Sequence, residues 1–262
     1  MERIVYARMA ELDPRPWWYR ARRDVLASLI ERRIAPPAGG RILEVGCGTG
    51  HNLPMLSGFG TVDAVELDPV AREKATQRLG KPVMDARLPE LAGIETGAYD
   101  LVASLDVVEH VEDDVAALTA LARCLKPGGR LLVTVPAFPF LWSAHDVTNH
   151  HHRRYTRATL RAAIDGAGLR TEFMGWFNSL LFPLAVADRM WGKVTGREGS
   201  DDALPPAPLN ALFETVFGLE RYALGARPLP RGVSRGGVIS AWAATWPGRC
   251  GGRAEPAISA TM

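Results

Sequence analysis

The glycine-rich segment RILEVGCGTG, from Arg41 to Gly50, is the strongest indication of the fold in this sequence. A short apolar run ends at Glu44-Val45, and glycine then occupies every second position. This pattern predicts a buried parallel strand, a tight glycine turn and a helix that begins near His51. Glycines permit positive φ in such a turn and let a ligand approach where a Cβ would clash. The spacing is G-x-G-x-G, which differs from the G-x-G-x-x-G of dinucleotide-binding turns.

Length and composition favour one α/β domain with an insertion or a small cap. The chain has 262 residues, of which 47% are hydrophobic and 23% charged, as expected for a globular protein. The net charge of +2 argues against a general nucleic-acid-binding surface. The three cysteines have neither disulfide-framework nor metal-type spacing, which favours a reducing compartment. Because no signal-peptide core and no run of about 18 apolar residues is found, we expect a soluble, cytoplasmic protein.

Strand and helix patterns alternate after the glycine turn, which predicts a parallel sheet with right-handed crossovers. Predicted strands two to five comprise residues 61–67, 81–86, 99–105 and 130–136. Asp68 and Pro69 begin the helix after strand two, as N-cap and first helical residue. The carboxyl ends of these strands meet at one edge of the sheet, where ligands bind. Glu66 therefore lies where the ribose hydroxyls of an adenosine would lie.

Several short motifs stand in a characteristic order: Glu44–Gly50, Glu66, Asp85-Ala86, Tyr99–Val102, Glu109–Val111 and Leu125–Gly129. Together they resemble class I S-adenosylmethionine-dependent methyltransferases, and most of all the small-molecule branch that includes ubiquinone-type enzymes. The resemblance covers roughly residues 15–175. It implies a Rossmann-like, doubly wound sheet of seven mostly parallel strands, with an antiparallel last strand near residues 237–246. It also implies S-adenosyl-L-methionine as cofactor and S-adenosyl-L-homocysteine as product.

The resemblance also implies which residues hold the cofactor: Arg22, Glu44, Gly46, Gly48, Gly50, Glu66, Leu67, Asp85, Ala86 and Leu105. The glycine turn would lie against the methionine part, and Glu66 would hold the ribose hydroxyls. Leu67 would pack on the adenine, and Asp85 would meet the adenine amine. The backbone at Leu105 would meet the methionine end. Arg22, in a stretch that resembles the family's aromatic and basic leader, is a candidate partner for the methionine carboxylate.

The loop after strand five is rich in histidine and follows the strand where the family places acceptor-binding groups. Histidine titrates near neutral pH, and Asp146 could orient an imidazole, which makes His145 and His151 candidates for a catalytic general base. Three adjacent histidines in this loop point apart on any regular element, so no metal site is predicted. The alternative is a structural loop in which Asp146 pairs with Arg153 or Arg154.

The sequence predicts a lid, a core and a cap. Residues 1–37 form a helical lid, or alternatively a helix packed on the sheet, and residues 38–177 form the S-adenosylmethionine-binding core. Residues 178–235 contain apolar helices and are predicted to cap the acceptor pocket, with a dimer contact or interfacial membrane docking as alternatives. Residues 236–247 supply the last strand, and residues 248–262 form a loose tail.

The predicted function is transfer of the methyl group of S-adenosylmethionine to a small, hydrophobic or natural-product-like acceptor, by O- or N-methylation in preference to C-methylation. One alternative is an S-adenosylmethionine-binding protein repurposed for a reaction such as cyclisation. A nucleotide-cofactor oxidoreductase is another, which the glycine spacing disfavours. No nucleic-acid partner is expected, because Leu105–Val108 stands where an Asn-Pro-Pro-Tyr-like motif would follow strand four. We expect a monomer or a homodimer.

Overall fold

The computed structural model describes residues 17–184, 186–187, 205–224 and 237–243, with the backbone alone for Ala144, His145 and residues 237–243. Among these residues, six strands form one sheet in the order β2-β1-β3-β4-β6-β5. The strands are β1 Arg41–Val45, β2 Thr61–Val65, β3 Tyr99–Leu105, β4 Leu125–Pro136, β5 Arg170–Phe177 and β6 Gly237–Ala243. The neighbouring strands run parallel, which confirms the predicted α/β class.

Helices precede and connect these strands. They are α1 Trp17–Leu29, α2 Leu53–Ser57, α3 Pro69–Leu79, α4 Asp114–Cys124, α5 Ala144–Thr148, α6 Arg157–Gly166, α7 Ala207–Gly218 and α8 Glu220–Leu224. The helix α1 continues as a π-helical turn, Ile30–Ile34, and ends at Ala35 with φ 44°. The carboxylate of Asp68 accepts hydrogen bonds from the N–H groups of Val70 and Ala71, which confirms the predicted N-cap of α3.

Two apolar clusters form the core, one on each face of the sheet. Side chains alternate along a strand, so Ile42 and Leu43 of β1 enter different clusters. The Ile42 cluster includes the buried face of α1, with Val25 and Leu29 fully buried. The other cluster includes apolar residues of α4 and α6. The helix α1 is therefore packed on the sheet, as one of the two interpretations of this segment required, and its role as a lid stays a prediction.

Two details of the predicted sheet were wrong. The third predicted strand, residues 81–86, is reduced to a single bridge between Met84 and Val65, because Pro82 lacks an N–H to donate. The described sheet therefore has six strands where seven were expected. The last strand, β6, runs parallel to β4 and β5, where an antiparallel strand was expected. Residues 178–236 between β5 and β6 are long enough for the crossover that a parallel strand requires.

The described part of the predicted cap packs on α1. Phe217 of α7 is fully buried, stacks on Trp18 with ring centroids 5.0 Å apart, and meets the edge of Trp17 at 5.9 Å. Glu220 of α8 accepts a hydrogen bond from the N–H of Leu180 at 2.8 Å. These contacts join the segments predicted as lid and cap, and both roles stay predictions.

Other predictions concern parts of the chain outside the described residues. They include the first sixteen residues of the lid, residues 188–204 and 225–235 of the cap, and the tail at 248–262. Among the described helices, none combines the length and apolar character that crossing a membrane would require.

Candidate active site

The three glycines of the turn after β1 all adopt positive φ, but the space around them differs. A Cβ at Gly46 (φ 74°) would lie 2.6 Å from Val107 Cγ2, and one at Gly50 (φ 83°) would lie 2.9 Å from Ala75 Cα. Both glycines therefore serve close packing. A Cβ at Gly48 (φ 55°) would meet no atom within 4 Å. The turn thus presents open space at Gly48 and brings the segment after β3 against Gly46.

Glu66 follows β2 and turns back towards the glycine turn. Its side chain is buried, with 4% of the residue exposed. The oxygen Oε2 accepts a hydrogen bond from Gly48 N at 2.7 Å, and Oε1 accepts one from Asp68 N at 2.9 Å. Burial raises the pKa of this carboxyl, although these backbone hydrogen bonds act in the opposite direction. Each oxygen keeps a second lone pair for a ligand hydroxyl.

The predicted adenine-side residues surround Arg72, which the sequence analysis did not single out. Leu67 is half exposed. The Asp85 carboxylate, 61% exposed, pairs with Arg72 Nη1 at 3.2 Å. The same nitrogen donates to the carbonyl oxygens of Glu66 at 2.8 Å and Leu67 at 3.0 Å. Arg72 is the fourth residue of α3, in the first turn after the Asp68 N-cap. Its position four residues after that predicted cap is the signal in the sequence that could have revealed it.

The remaining predicted cofactor residues are buried. Glu44 of β1 accepts a hydrogen bond from Asn52 Nδ2 at 3.0 Å, which ties the strand to the beginning of α2. The side chains of Ala86 and Leu105 belong to the two apolar clusters. The side chain of Leu105 is therefore buried, and contact of its backbone with the methionine end of the cofactor stays a prediction.

Arg22 is held by two residues that the sequence analysis did not predict. Its Nη2 atom donates to Asp106 Oδ2 at 2.6 Å and to Thr134 Oγ1 at 2.9 Å. The Thr134 hydroxyl donates to Asp106 Oδ1 at 3.0 Å. Asp106 has φ 60°, an uncommon conformation for a non-glycine residue, directly after the buried strand β3. Among the described residues the Nε atom of buried Arg22 has no hydrogen-bond partner, and binding of a ligand carboxylate there stays a prediction.

Asp146 organises the histidine-rich loop. Its Oδ2 atom accepts a hydrogen bond from Ser143 N at 2.9 Å. Its Oδ1 atom accepts one from Arg154 Nε at 2.7 Å and lies 2.9 Å from His151 Nδ1. Burial alone would raise the pKa of Asp146, but the hydrogen bonds from His151 and Arg154 outweigh it and hold the pKa well below its usual range. Both predicted uses of Asp146 therefore occur together.

The structure brings His151, one of the two predicted bases, against the segment after β3. Its ring centroid lies 4.6 Å from that of His110 at an interplanar angle of 77°. Burial, followed by the proximity of His151, lowers the pKa of His110 to about 4. The backbone of His145 lies in α5, and its side chain falls outside the described part of the chain. Glu109 and His110 belonged to a motif of the sequence, but no role had been predicted for them.

Comparison with known proteins identifies the family. A family model described as a methyltransferase domain matches residues 17–172, more than half of the chain. The chain belongs to this methyltransferase family. The match confirms the resemblance to class I S-adenosylmethionine-dependent methyltransferases, so S-adenosylmethionine is the cofactor.

Individual relatives of this methyltransferase have different names. Ubiquinone biosynthesis O-methyltransferase of Xanthomonas axonopodis pv. citri is 34% identical over 157 residues, covering 52% of this chain and 65% of that protein. The tRNA U34 carboxymethyltransferase of Methylococcus capsulatus is 34% identical over 119 residues, covering 43% of this chain and 37% of that protein. The methyltransferase thus spans less than two thirds of either relative.

Among solved structures, a TehB-like S-adenosylmethionine-dependent methyltransferase from Corynebacterium glutamicum resembles this chain. The TM-score is 0.44 at 25% identity, covering 57% of this chain and 74% of that one. That likeness is too distant to bear on the acceptor.

Proposed function

We propose that this methyltransferase transfers the methyl group of S-adenosylmethionine to an oxygen or nitrogen atom of a small, hydrophobic acceptor. The observation that carries the proposal is the hydrogen bond from Gly48 N to Glu66 Oε2 at 2.7 Å, beside the open space at Gly48. It joins the open space at Gly48 to a buried carboxylate at the edge of a parallel sheet, where nucleotides bind. When bound, the cofactor supplies an electrophilic methyl group on a positively charged sulfur.

The residues of the edge fit this cofactor. Glu66 has lone pairs for two ribose hydroxyls, and half-exposed Leu67 offers an apolar surface to the adenine. Asp85, also exposed, is available to the adenine amine. Arg22 has an Nε–H without a partner among the described residues, which is available to a carboxylate. Together these side chains would fix the orientation of the cofactor, and alignment of the reacting atoms is the main contribution that a methyltransferase needs.

An aromatic cluster supports the proposed hydrophobic acceptor. Phe138, two residues after β4, stacks on Trp176 of β5 with ring centroids 4.6 Å apart and planes 4° from parallel. Phe182, at the beginning of the insertion, lies 4.9 Å from Phe138. The insertion thus begins over the carboxyl ends of β4 and β5, which favours its role as the cap of the acceptor pocket. The name of the Xanthomonas relative, an O-methyltransferase, agrees with an oxygen atom as the methyl acceptor.

His151 is the candidate for removing the acceptor proton. Asp146 lies 2.9 Å from its Nδ1 atom, which fixes the orientation of the ring. The partner nitrogen, Nε2, is then the one directed away from Asp146. We infer that a hydroxyl acceptor would lose its proton on this side of the site.

The proposal is tested by binding and by transfer. Calorimetry with the full chain should show binding of S-adenosylmethionine and S-adenosylhomocysteine and none of NAD. Radiolabelled methyl transfer is then measured with hydrophobic phenols and catechols, with amines and with tRNA, and we expect product with the first or second group. Binding of NAD alone would overturn the proposal. Labelling of tRNA alone would mean that the acceptor is a nucleic acid and not a small hydrophobic molecule. Cofactor binding without methyl transfer to any acceptor, including those in an extract of the source organism, would favour a protein repurposed for another reaction.

A further inference from the structure

Glu109 is a fully buried carboxyl in the described part of the chain. It lies in the 3₁₀ turn Val108–His110 directly after β3, with 0% of the residue exposed. Among the described residues, neither Oε1 nor Oε2 has a hydrogen-bond partner. Burial, and after it the nearby Asp106, raises the pKa of Glu109. Because burying an unpartnered polar group costs free energy, such a group in a native fold calls for an explanation.

Two histidines lie close to Glu109. His110 is its neighbour in the 3₁₀ turn, and His151 belongs to the loop after α5. One ligand atom from each of the three residues lies within 4.8 Å of the other two. A zinc-type ion binds at about 2.0–2.2 Å from such atoms, which requires ligand atoms on the order of 3–4 Å apart. Small rotations of the side chains are therefore enough to close a coordination site.

Both histidines are oriented by further hydrogen bonds, as metal-binding histidines are. The Nδ1 atom of His151 lies 2.9 Å from the Asp146 carboxylate, so Nε2 is the nitrogen that would bind a metal ion. Arg154 fixes that carboxylate at 2.7 Å, and the side chains of this ion pair are 0% exposed. The ring of His110 hydrogen-bonds to the backbone of Asn149. His151 is thus held by a carboxylate and His110 by a backbone group. In known metal sites, the same two kinds of partner fix the tautomer and the orientation of the histidine ligands.

We propose that Glu109, His110 and His151 form a binding site for one divalent transition-metal ion of the zinc type. Two imidazoles and one carboxylate are a ligand set that such ions accept, with coordination positions left open. Glu109 is buried while both histidines are partly accessible, so the open positions lie on the histidine side. The ion would offset the negative charge of Glu109, which lies within the electrostatic influence of Asp106.

The site does not rest on the proposed methyl transfer, but its role does. An acceptor hydroxyl at an open position would lose its proton more readily, because a bound divalent cation lowers the pKa of an oxygen ligand. His151 would then act as a ligand, and the hydroxyl, with its pKa lowered by the ion, would release its proton to water.

The experiment measures metal binding in the absence of cofactor and acceptor. The full chain is freed of metal with a chelator, dialysed, and titrated with Zn²⁺ by calorimetry and with Co²⁺ by visible absorption. We expect one ion per chain. Glu109→Gln and His151→Ala should each weaken Zn²⁺ binding about 100-fold or more, and Asp146→Asn about 10–100-fold, the usual effect of losing an orienting partner.

His152→Ala is the matched control, because it removes the exposed histidine next to His151 and should leave Zn²⁺ binding unchanged. Zn²⁺ should also raise the Tm of the unmodified chain and not that of the isosteric Glu109→Gln variant. Absence of stoichiometric binding, or binding that Glu109→Gln and His151→Ala leave unchanged, would overturn the site. Calorimetry with S-adenosylmethionine on the same samples tests the proposed function separately.

Discussion

The two halves of the site each contain a buried carboxyl, and the two carboxyls are satisfied differently. In the cofactor half, formed by Gly46–Gly50 and Glu66–Asp68, Glu66 accepts backbone N–H groups at 2.7 and 2.9 Å. In the acceptor half, formed by Asp106–His110 and Asp146–Arg154, Glu109 accepts no hydrogen bond from the described residues. In the cofactor half the carboxyl is thus satisfied by backbone groups. In the acceptor half, side chains come together around a carboxyl that accepts no hydrogen bond within the described part of the chain.

This difference follows from sequence separation. The backbone donors of Glu66 lie 18 and 2 residues away along the chain. Glu109, in contrast, gathers His151 from a distant loop and lies within the electrostatic influence of Arg22 in α1. A site built from backbone and neighbouring residues leaves a pattern in the sequence. A site built from remote side chains leaves only isolated residues.

The largest expected effect belongs to the acceptor half. His151→Ala should lower the rate of methyl transfer to a hydroxyl acceptor by about 10²–10⁴-fold, the usual share of proton-transfer catalysis. Affinity for S-adenosylmethionine should stay unchanged, because His151 lies in the other half of the site. Single-turnover rates and calorimetry check both expectations.

His152→Ala serves as the control for this experiment, and His145→Ala in the same assay separates the two predicted bases. Full activity of His145→Ala and His151→Ala would mean that the loop is structural and that alignment alone drives the reaction.

The next effect belongs to the cofactor half. Glu66→Ala should weaken S-adenosylmethionine binding by about 1.5–3 kcal/mol for each charged hydrogen bond lost, less whatever water recovers. Glu73→Ala, which removes an exposed acid from α3, is the control of equal charge change. Calorimetry and circular dichroism are measured together. An unchanged dissociation constant in a folded Glu66→Ala variant would contradict the ribose-binding role.

The smallest effect is expected for Gly48→Ala, which tests whether the open space at this glycine is used by the cofactor. Gly48→Ala should lower the free energy of unfolding by about 1–2 kcal/mol, the cost of a left-handed conformation for alanine. It should also weaken cofactor binding, because the added methyl group enters the open space. Gly80→Ala is the matched control, since Gly80 has φ 72° and no atom within 4 Å of its Cβ position but lies at the end of α3. Equal cofactor affinity in the two variants would show that the space at Gly48 is not used.

The sequence was sufficient for the parallel sheet, the glycine turn and the cap of α3, because each follows from local pattern. It was not sufficient for the direction of β6, since nothing local states whether residues 178–236 return as a hairpin or as a crossover. It also missed Asp106 and Thr134 as partners of Arg22, which come together from three distant elements. A metal site was rejected because adjacent histidines point apart. That reason holds for the three neighbours, but the structure combines only one of them with Glu109 and His110.

The hydrogen bonds of Asp146 have a consequence for changing acceptor preference by protein engineering. The buried carboxylate of Asp146 is hydrogen-bonded to Ser143, His151 and Arg154, so one side chain holds three positions of the loop together. The same loop carries exposed apolar side chains at Phe140, Trp142 and Val147. Libraries restricted to those three positions would vary the surface offered to acceptors and leave the hydrogen bonds of Asp146 intact. Randomising His151 or Arg154 would remove side-chain hydrogen bonds that hold the loop.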